Sequence, residues 1–237
     1  MSSSECQTSF EELHSVAAAF IRRDGIRTHR DRILEIGVVV GRLCSLFLGY
    51  AAVDVSGTCG DEMMKCMGEL LWALLLAAET CHMDLGDCIL KKISLNGRKY
   101  PVDLVKGSTE KYTAYSKRTA ITKTEGQSTR DLHVEGTKTV EEITHRIDVF
   151  AAERLWSKFH TPRNLVLAIM GEVGELAELF QWRGDGPGCD LDTWLWDDMD
   201  HLGQEFADVA IYLLRLADVC YVSNIGSLVL LLHGNQI

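Results

Sequence analysis

From Phe206 onward, apolar residues recur at Val209, Ala210, Leu213, Leu216, Ala217 and Cys220, which is the spacing of one buried helical stripe. Glu205, Asp208 and Tyr212 fall together on the adjacent face, at i, i+3 and i+7. The segment from about Asn164 to Trp182 is patterned alike, with Val173, Leu176, Ala177 and Phe180 as its packing face. It carries Glu172 and Glu175 three residues apart. Prolines occur only at 101, 162 and 187, and no stretch shows the alternation of a strand. The pattern predicts an all-α fold.

Two acidic pairs at i, i+3 change this from a fold into a chemistry. If their helices pack antiparallel, Glu172, Glu175, Glu205 and Asp208 converge on one spot, and carboxylates that close do not all ionise without a cation among them. Hard oxygen ligands in that number suit Mg²⁺, which keeps some of its waters and is commonly shared with substrate phosphates.

The net charge of −10 over 237 residues argues against nucleic-acid binding, which wants a basic face. An acidic protein that handles phosphates must bring in metal. Eight cysteines, at 6, 44, 59, 66, 81, 88, 189 and 220, form no C-x-x-C pair and read as buried free thiols. The first residues lack a secretory signal, and the run Leu228 to Leu232 is too short to span a bilayer. A soluble cytosolic protein without a membrane partner is expected. Trp72, Trp194 and Trp196, with no motif around them, are expected in the core.

Comparison of the chain with itself shows a degenerate repeat. Phe10-Glu11-Glu12 aligns with Val140-Glu141-Glu142, Phe20 with Phe150, Gly41 with Gly171 and Leu46 with Leu176, all at an offset of 130. After a shift of nine, Glu69 aligns with Asp208, Ala78 with Ala217, and Cys81 with Cys220. The implied organisation is a first repeat over 8–115, a flexible Lys, Thr, Ser and Gly-rich linker over 116–137, a second repeat over 138–220 and an atypical tail over 221–237. Where the second repeat has Glu172, Glu175 and Glu205, the first has Arg42, Ser45 and Cys66, so it cannot build the same acidic site. It carries instead a polar and basic segment, Lys92 to Tyr100, that the second lacks. Tyr221-Val222-Ser223 can be encoded by DNA containing the consensus of an intron start, so read-through of an intron is one account of the tail.

Residues Phe150 to Leu165, which include Trp156, Phe159, His160 and Pro162, then Gly171-Glu-Val-Gly-Glu-Leu-Ala-Glu-Leu-Phe-Gln-Trp182 and Glu205-Phe-Ala-Asp208-Val-Ala-Ile-Tyr212, resemble the all-α nucleoside triphosphate pyrophosphohydrolases of the MazG-like superfamily, most closely the dCTP pyrophosphatases. Residues 84–113 resemble that family's C-terminal segment. The resemblance implies a helical bundle that hydrolyses a deoxynucleoside triphosphate between its α and β phosphates, with Mg²⁺, in nucleotide-pool house-cleaning. It makes Glu172, Glu175, Glu205 and Asp208 metal ligands and catalytic residues, and places Trp156, Phe159, His160, Trp182 and Tyr212 around the nucleotide. One departure is that Ile147 stands where close relatives have a histidine, with His145 nearby on another helical face.

Lys92, Asn96 and Lys99 are further candidates for substrate binding, as cations for the leaving pyrophosphate. Relatives are typically oligomers, so a homo-oligomer or an in-chain pseudo-dimer is expected, with the first repeat lending its basic segment to the second. The alternatives are a broader pyrophosphatase for non-standard nucleotides and a pseudoenzyme that only binds nucleotides or partners. A di-iron bundle ranks lower because the acidic motifs at Glu172 and Glu205 contain no Glu-x-x-His pair.

Overall fold

Helix α1 (Phe10–Asp24) begins at a Ser9 cap and α6 (Val140–Glu153) at a Thr139 cap, each hydroxyl accepting from a backbone N–H three residues on. The two caps face each other: Phe10 N–H donates to the Lys138 carbonyl at 2.8 Å and Val140 N–H to the Thr8 carbonyl at 2.9 Å. This reciprocal pair bridges Ser9 and Thr139, 130 positions apart. The computed structural model describes residues 7–25, 27–48, 60–108, 138–184, 191–222 and 224–234, and among these it contains helices and no strand. The segment read as a linker, 116–137, lies outside the described residues.

The remaining helices are α2 (His29–Phe47), α3 (Asp61–Thr80), α4 (Leu85–Lys99), α5 (Val102–Val105), α7 (Pro162–Glu178), α8 (Trp196–Val219) and α9 (Ile225–His233). Thr28 opens α2 with a capping box closed by Asp31, and Thr161 caps α7 with Pro162 just inside, where its missing N–H costs nothing. Helices α3 and α8 end alike: His82 (φ 56°) and Tyr221 (φ 59°) turn left-handed, and the next N–H returns to the carbonyls of Ala78 and Ala217.

Packing follows the same pairing. Helix α2 lies along α3 and α7 along α8; α1 and α6 brace α3 and α8; α2 meets α7 and α3 meets α8 at the centre. Helix α4 crosses to pack on α8, while α9 crosses the other way to pack on α3. The apolar faces merge into one core that includes Phe10, Leu13, Ile36, Leu43 and Met67 from the first half and Ile169, Leu176, Phe206 and Leu213 from the second. The stripe read on α8 is buried through Ala217, with Cys220 at its edge.

Two glycines permit the crossings. A Cβ on Gly203 would meet the Cys88 sulfur of α4 at 3.1 Å, and one on Gly68 would meet Leu228 of α9 at 3.1 Å. The tail is therefore a packed helix, with Ile225 and Val229 buried and the His233 ring stacked on Trp72 at 4.5 Å. Ending the chain at Cys220 is expected to cost about 3–5 kcal/mol from the lost burial of Ile225 and Val229. Scanning calorimetry should show a melting temperature lower by roughly 10 °C; an unchanged transition would mean that the tail contributes nothing.

Trp72 and Trp194 are buried, as expected of core residues, but Trp196 is not. At the first position of α8 it is 41% exposed, with the Lys91 ammonium 5.5 Å from its ring. A helix start has no neighbouring turn to cover a side chain as large as indole. The five described cysteines are free, and burial pushes the Cys81 and Cys88 thiols up to about 12. No helix of the described residues is long and apolar enough to cross a membrane.

Candidate active site

Because α7 and α8 pack along each other, the acidic faces at Glu172 and at Glu205 and Asp208 meet. One carboxylate oxygen from each of Glu172, Glu205 and Asp208 lies within 4.8 Å of the others. Glu175, one turn on from Glu172, lines the same cleft as an exposed residue and is not part of this trio. The trio is costly to ionise. Burial, then Asp208 and the other glutamates, pushes the Glu172 carboxyl up to about 7. Burial and Asp208 raise Glu205, and burial raises Asp208 against the opposing pull of Lys92.

Glu205 is 6% exposed; its Oε1 pairs with His201 Nε2 at 3.1 Å, and its buried Oε2 has no hydrogen-bond partner. A buried carboxylate with an orphaned oxygen, gathered with two further carboxylates, is a donor set suited to a hard divalent cation, so Glu172, Glu205 and Asp208 could hold one.

The opposite wall comes from α4. Lys92 forms an ion pair with Asp208, and Asn96 and Lys99 line the cleft one and two turns beyond. The chain then folds onto the turn after α6: Arg154 donates from Nε to the Tyr100 carbonyl at 2.9 Å, and Gly107 N–H donates to the Arg154 carbonyl at 2.8 Å. Trp156 is held by this segment, its indole N–H on the Ser108 carbonyl at 2.9 Å and its ring edge-on to Tyr100 at 5.4 Å. With its N–H occupied, Trp156 offers only its ring to a ligand.

The cleft encloses about 680 Å³. Phe159, His160 and Tyr212 line it with Trp156, and Asn164 of α7 holds the Phe159 carbonyl at 2.9 Å. Burial, reinforced by nearby carboxylates, raises the Tyr212 hydroxyl well above its ordinary value. Ile147 lines the wall and His145 is exposed on the far face of α6, so no imidazole comes from that helix. Trp182 is not brought to the cleft. Helix α7 ends at Glu178, and the following turn leaves Trp182 88% exposed.

One residue escaped the sequence reading. Arg215 lines the cleft and is 4% exposed, yet it sits in Leu213-Leu214-Arg215-Leu216-Ala217. A lone cation inside an apolar stripe was the available signal, because such a charge needs buried partners.

A second cleft of about 680 Å³ lies in the first half, around Phe20, Trp72 and Glu69. There Arg42 Nη2 reaches Glu69 Oε2 at 2.5 Å, and the Cys66 thiol is buried. An ion pair stands where the second half gathers carboxylates.

The chain is 52% identical over 85 residues to dCTP pyrophosphatase 1 of Rattus norvegicus, and 53% and 52% identical over the same length to the proteins of that name from Homo sapiens and Mus musculus. The match takes in 35% of this chain and 49% of each relative, so the chain spans about half the length of the curated relatives it matches. No family model matches the chain, and no solved structure matches it.

Proposed function

We propose that this chain is a Mg²⁺-dependent nucleoside triphosphate pyrophosphohydrolase acting on dCTP or a related deoxynucleoside triphosphate. The observation that carries the reading is the carboxylate trio, with its orphaned Glu205 oxygen, set opposite the basic face of α4 in a cleft walled by Trp156. The similarity to dCTP pyrophosphatase 1 supports the choice of substrate.

In the reaction, water attacks the α-phosphorus and the bond to the oxygen bridging α and β breaks. The products are a nucleoside monophosphate and pyrophosphate, and the water's proton goes to base. Mg²⁺ held by Glu172, Glu205 and Asp208 would neutralise phosphoryl charge and lower the pKa of a bound water. Glu175, outside the trio, is the carboxylate available to take the proton. Lys92 and Lys99 stabilise the departing pyrophosphate, Asn96 orients it, and Trp156 stacks on the base, a contact worth about 1–3 kcal/mol.

The same reading makes the chain a duplicated fold that serves as its own dimer. Matched helix ends, the reciprocal bridge at Ser9 and Thr139, and the opposed crossings of α4 and α9 support a pseudo-dimer in which residues 8–115 complete the site of 138–220. Pyrophosphate release should be measured across the dNTPs and several modified triphosphates with Mg²⁺. Release that peaks with dCTP and disappears in Glu172→Ala is expected. Equal release from all would make the protein a broad pyrophosphatase, and binding without release would make it a nucleotide-binding scaffold.

A further inference from the structure

Arg215 distributes its donors in a fixed order. Nη1 donates to Asp148 at 2.6 Å and Asp218 at 2.5 Å, Nη2 to the Ser157 hydroxyl at 3.4 Å, and Nε to Nδ1 of His160 at 3.3 Å. A guanidinium can only donate, so Nδ1 must accept. A neutral imidazole that accepts at Nδ1 carries its hydrogen on Nε2.

Among the described residues Nε2 of His160 has no protein partner, and His160 lines the cleft beside Trp156 and Ile147. Burial, with Arg215 as the second cause, holds the imidazole down at about 4, so the ring stays neutral through the physiological range. Asp148 of α6 and Asp218 of α8 are both taken by Arg215, and neither acts on the imidazole directly. Their role is to keep the buried cation in place without charging the imidazole.

The arrangement is not a demand of the fold. At the aligned positions of the first half stand Leu76 for Arg215, in α3, which packs on α2 as α8 packs on α7, and Arg30 for His160, inside α2 rather than in a turn before a helix.

We propose that Arg215 is a specificity-determining positioning residue: it locks His160 in the Nε2–H tautomer and so presents one hydrogen-bond donor to an acceptor on the edge of the substrate's base. The consequence for substrate choice rests on the nucleotide reading above; the tautomer does not. Cytosine offers adjacent acceptors at O2 and N3, whereas thymine and uracil place an N–H at N3. A donor fixed toward that edge favours cytosine, because an N–H set against it leaves both donors unpaired.

Arg215→Lys separates the donor from the charge. Lysine places a methylene where arginine has Nε and keeps an ammonium near Asp148 and Asp218, so the ion pairs survive while the lock is lost. In the full chain labelled with ¹⁵N-histidine, long-range proton–nitrogen spectra should show His160 protonated on Nε2 alone from pH 8 to pH 5.5. In Arg215→Lys the two tautomers should mix while the ring stays neutral over the same range, because its burial and the neighbouring positive charge are both kept. Loss of one hydrogen bond is expected to raise KM for dCTP about tenfold and to reduce the preference for dCTP over dTTP by the same factor. The kcat value should change less than KM. In a His160→Ala background, Arg215→Lys should add no further loss.

Wild-type His160 protonated on Nδ1, or an Arg215→Lys protein whose tautomer and KM are unchanged, overturns the proposal. Failure to hydrolyse any nucleotide would overturn the pyrophosphatase reading, and the spectra would still decide the tautomer.

Discussion

Replacing Glu205 with glutamine is expected to abolish Mg²⁺ binding at this site and to lower pyrophosphate release by more than about a hundredfold, while making the metal-free protein more heat-stable. The two effects have one cause. Glu205 is buried beside Glu172 and Asp208, with one oxygen satisfied by His201 and the other by nothing in the protein. Deleting its charge removes a ligand, whose loss exceeds the roughly 10–100-fold that follows removal of an outer partner. It also removes repulsion from a site that has too much negative charge without metal. Relief of about 1 kcal/mol would raise the melting temperature by roughly 2–4 °C in a chain of this size.

The pH dependence follows with its sign. The Glu172 carboxyl stands at about 7 in the folded protein against an ordinary 4.5, so the folded state holds the proton more tightly than the unfolded chain. That contribution is fully present below 4.5 and is lost as pH rises to about 7. It amounts to at most about 3 kcal/mol, reduced by solvent screening at a half-buried group. This contribution lowers the metal-free melting temperature from pH 5 to pH 8, against the opposite contribution of His160, whose depressed value costs stability as pH falls below 6.5, and Mg²⁺ should raise the transition more at pH 8. Melting curves in EDTA and in Mg²⁺ at both pH values, for wild type and Glu205→Gln, check this. A Mg²⁺ shift no larger at pH 8 than at pH 5, or a variant that still responds to Mg²⁺, rules out the trio as the metal site.

Substitution of Lys92 and Lys99 by alanine is expected to depress kcat/KM by about a hundredfold or more, the scale of losing a charged donor aimed at a developing anion. The fold should persist at saturating Mg²⁺. Lys92 pairs with Asp208, and their side chains are 11% and 17% exposed, so metal-free protein loses about 3–5 kcal/mol when that lysine goes. Bound cation takes over the neutralisation of Asp208 and restores most of this. Lys99→Ala alone, at an exposed position, should lower kcat/KM with no change in melting. Circular dichroism and steady-state kinetics in Mg²⁺ give both readouts. Wild-type kinetics in the double variant would exclude α4 from the site and leave the first half as scaffold only.

Much of the fold was legible because helical order is local. Thr28, Thr161 and Pro162 mark helix starts from their own chemistry, and the stripe from Phe206 to Ala217 states which face is buried. The i, i+3 spacing likewise put Glu205 and Asp208 on one face before any partner was known. Trp196, expected in the core because no motif surrounds it, stands at a helix start that leaves it partly exposed, and Trp182, placed around the nucleotide by resemblance alone, lies in the turn beyond the end of α7. Arg215 was passed over because a stripe is judged by its apolar members, and the acids that hold it lie on two helices.

Helices, caps and the acidic pairs were thus determined by the sequence alone, since each depends on residues within a turn or two of one another. Which carboxylates gather, that Glu175 stands apart from the trio, that Lys92 reaches Asp208 across more than a hundred positions, and that Arg215 meets His160 were decided only by the tertiary structure. Those contacts depend on how α4 and α8 settle against a shared core, through a close approach permitted at Gly203. That docking is a property of packing between distant surfaces, which no local period encodes.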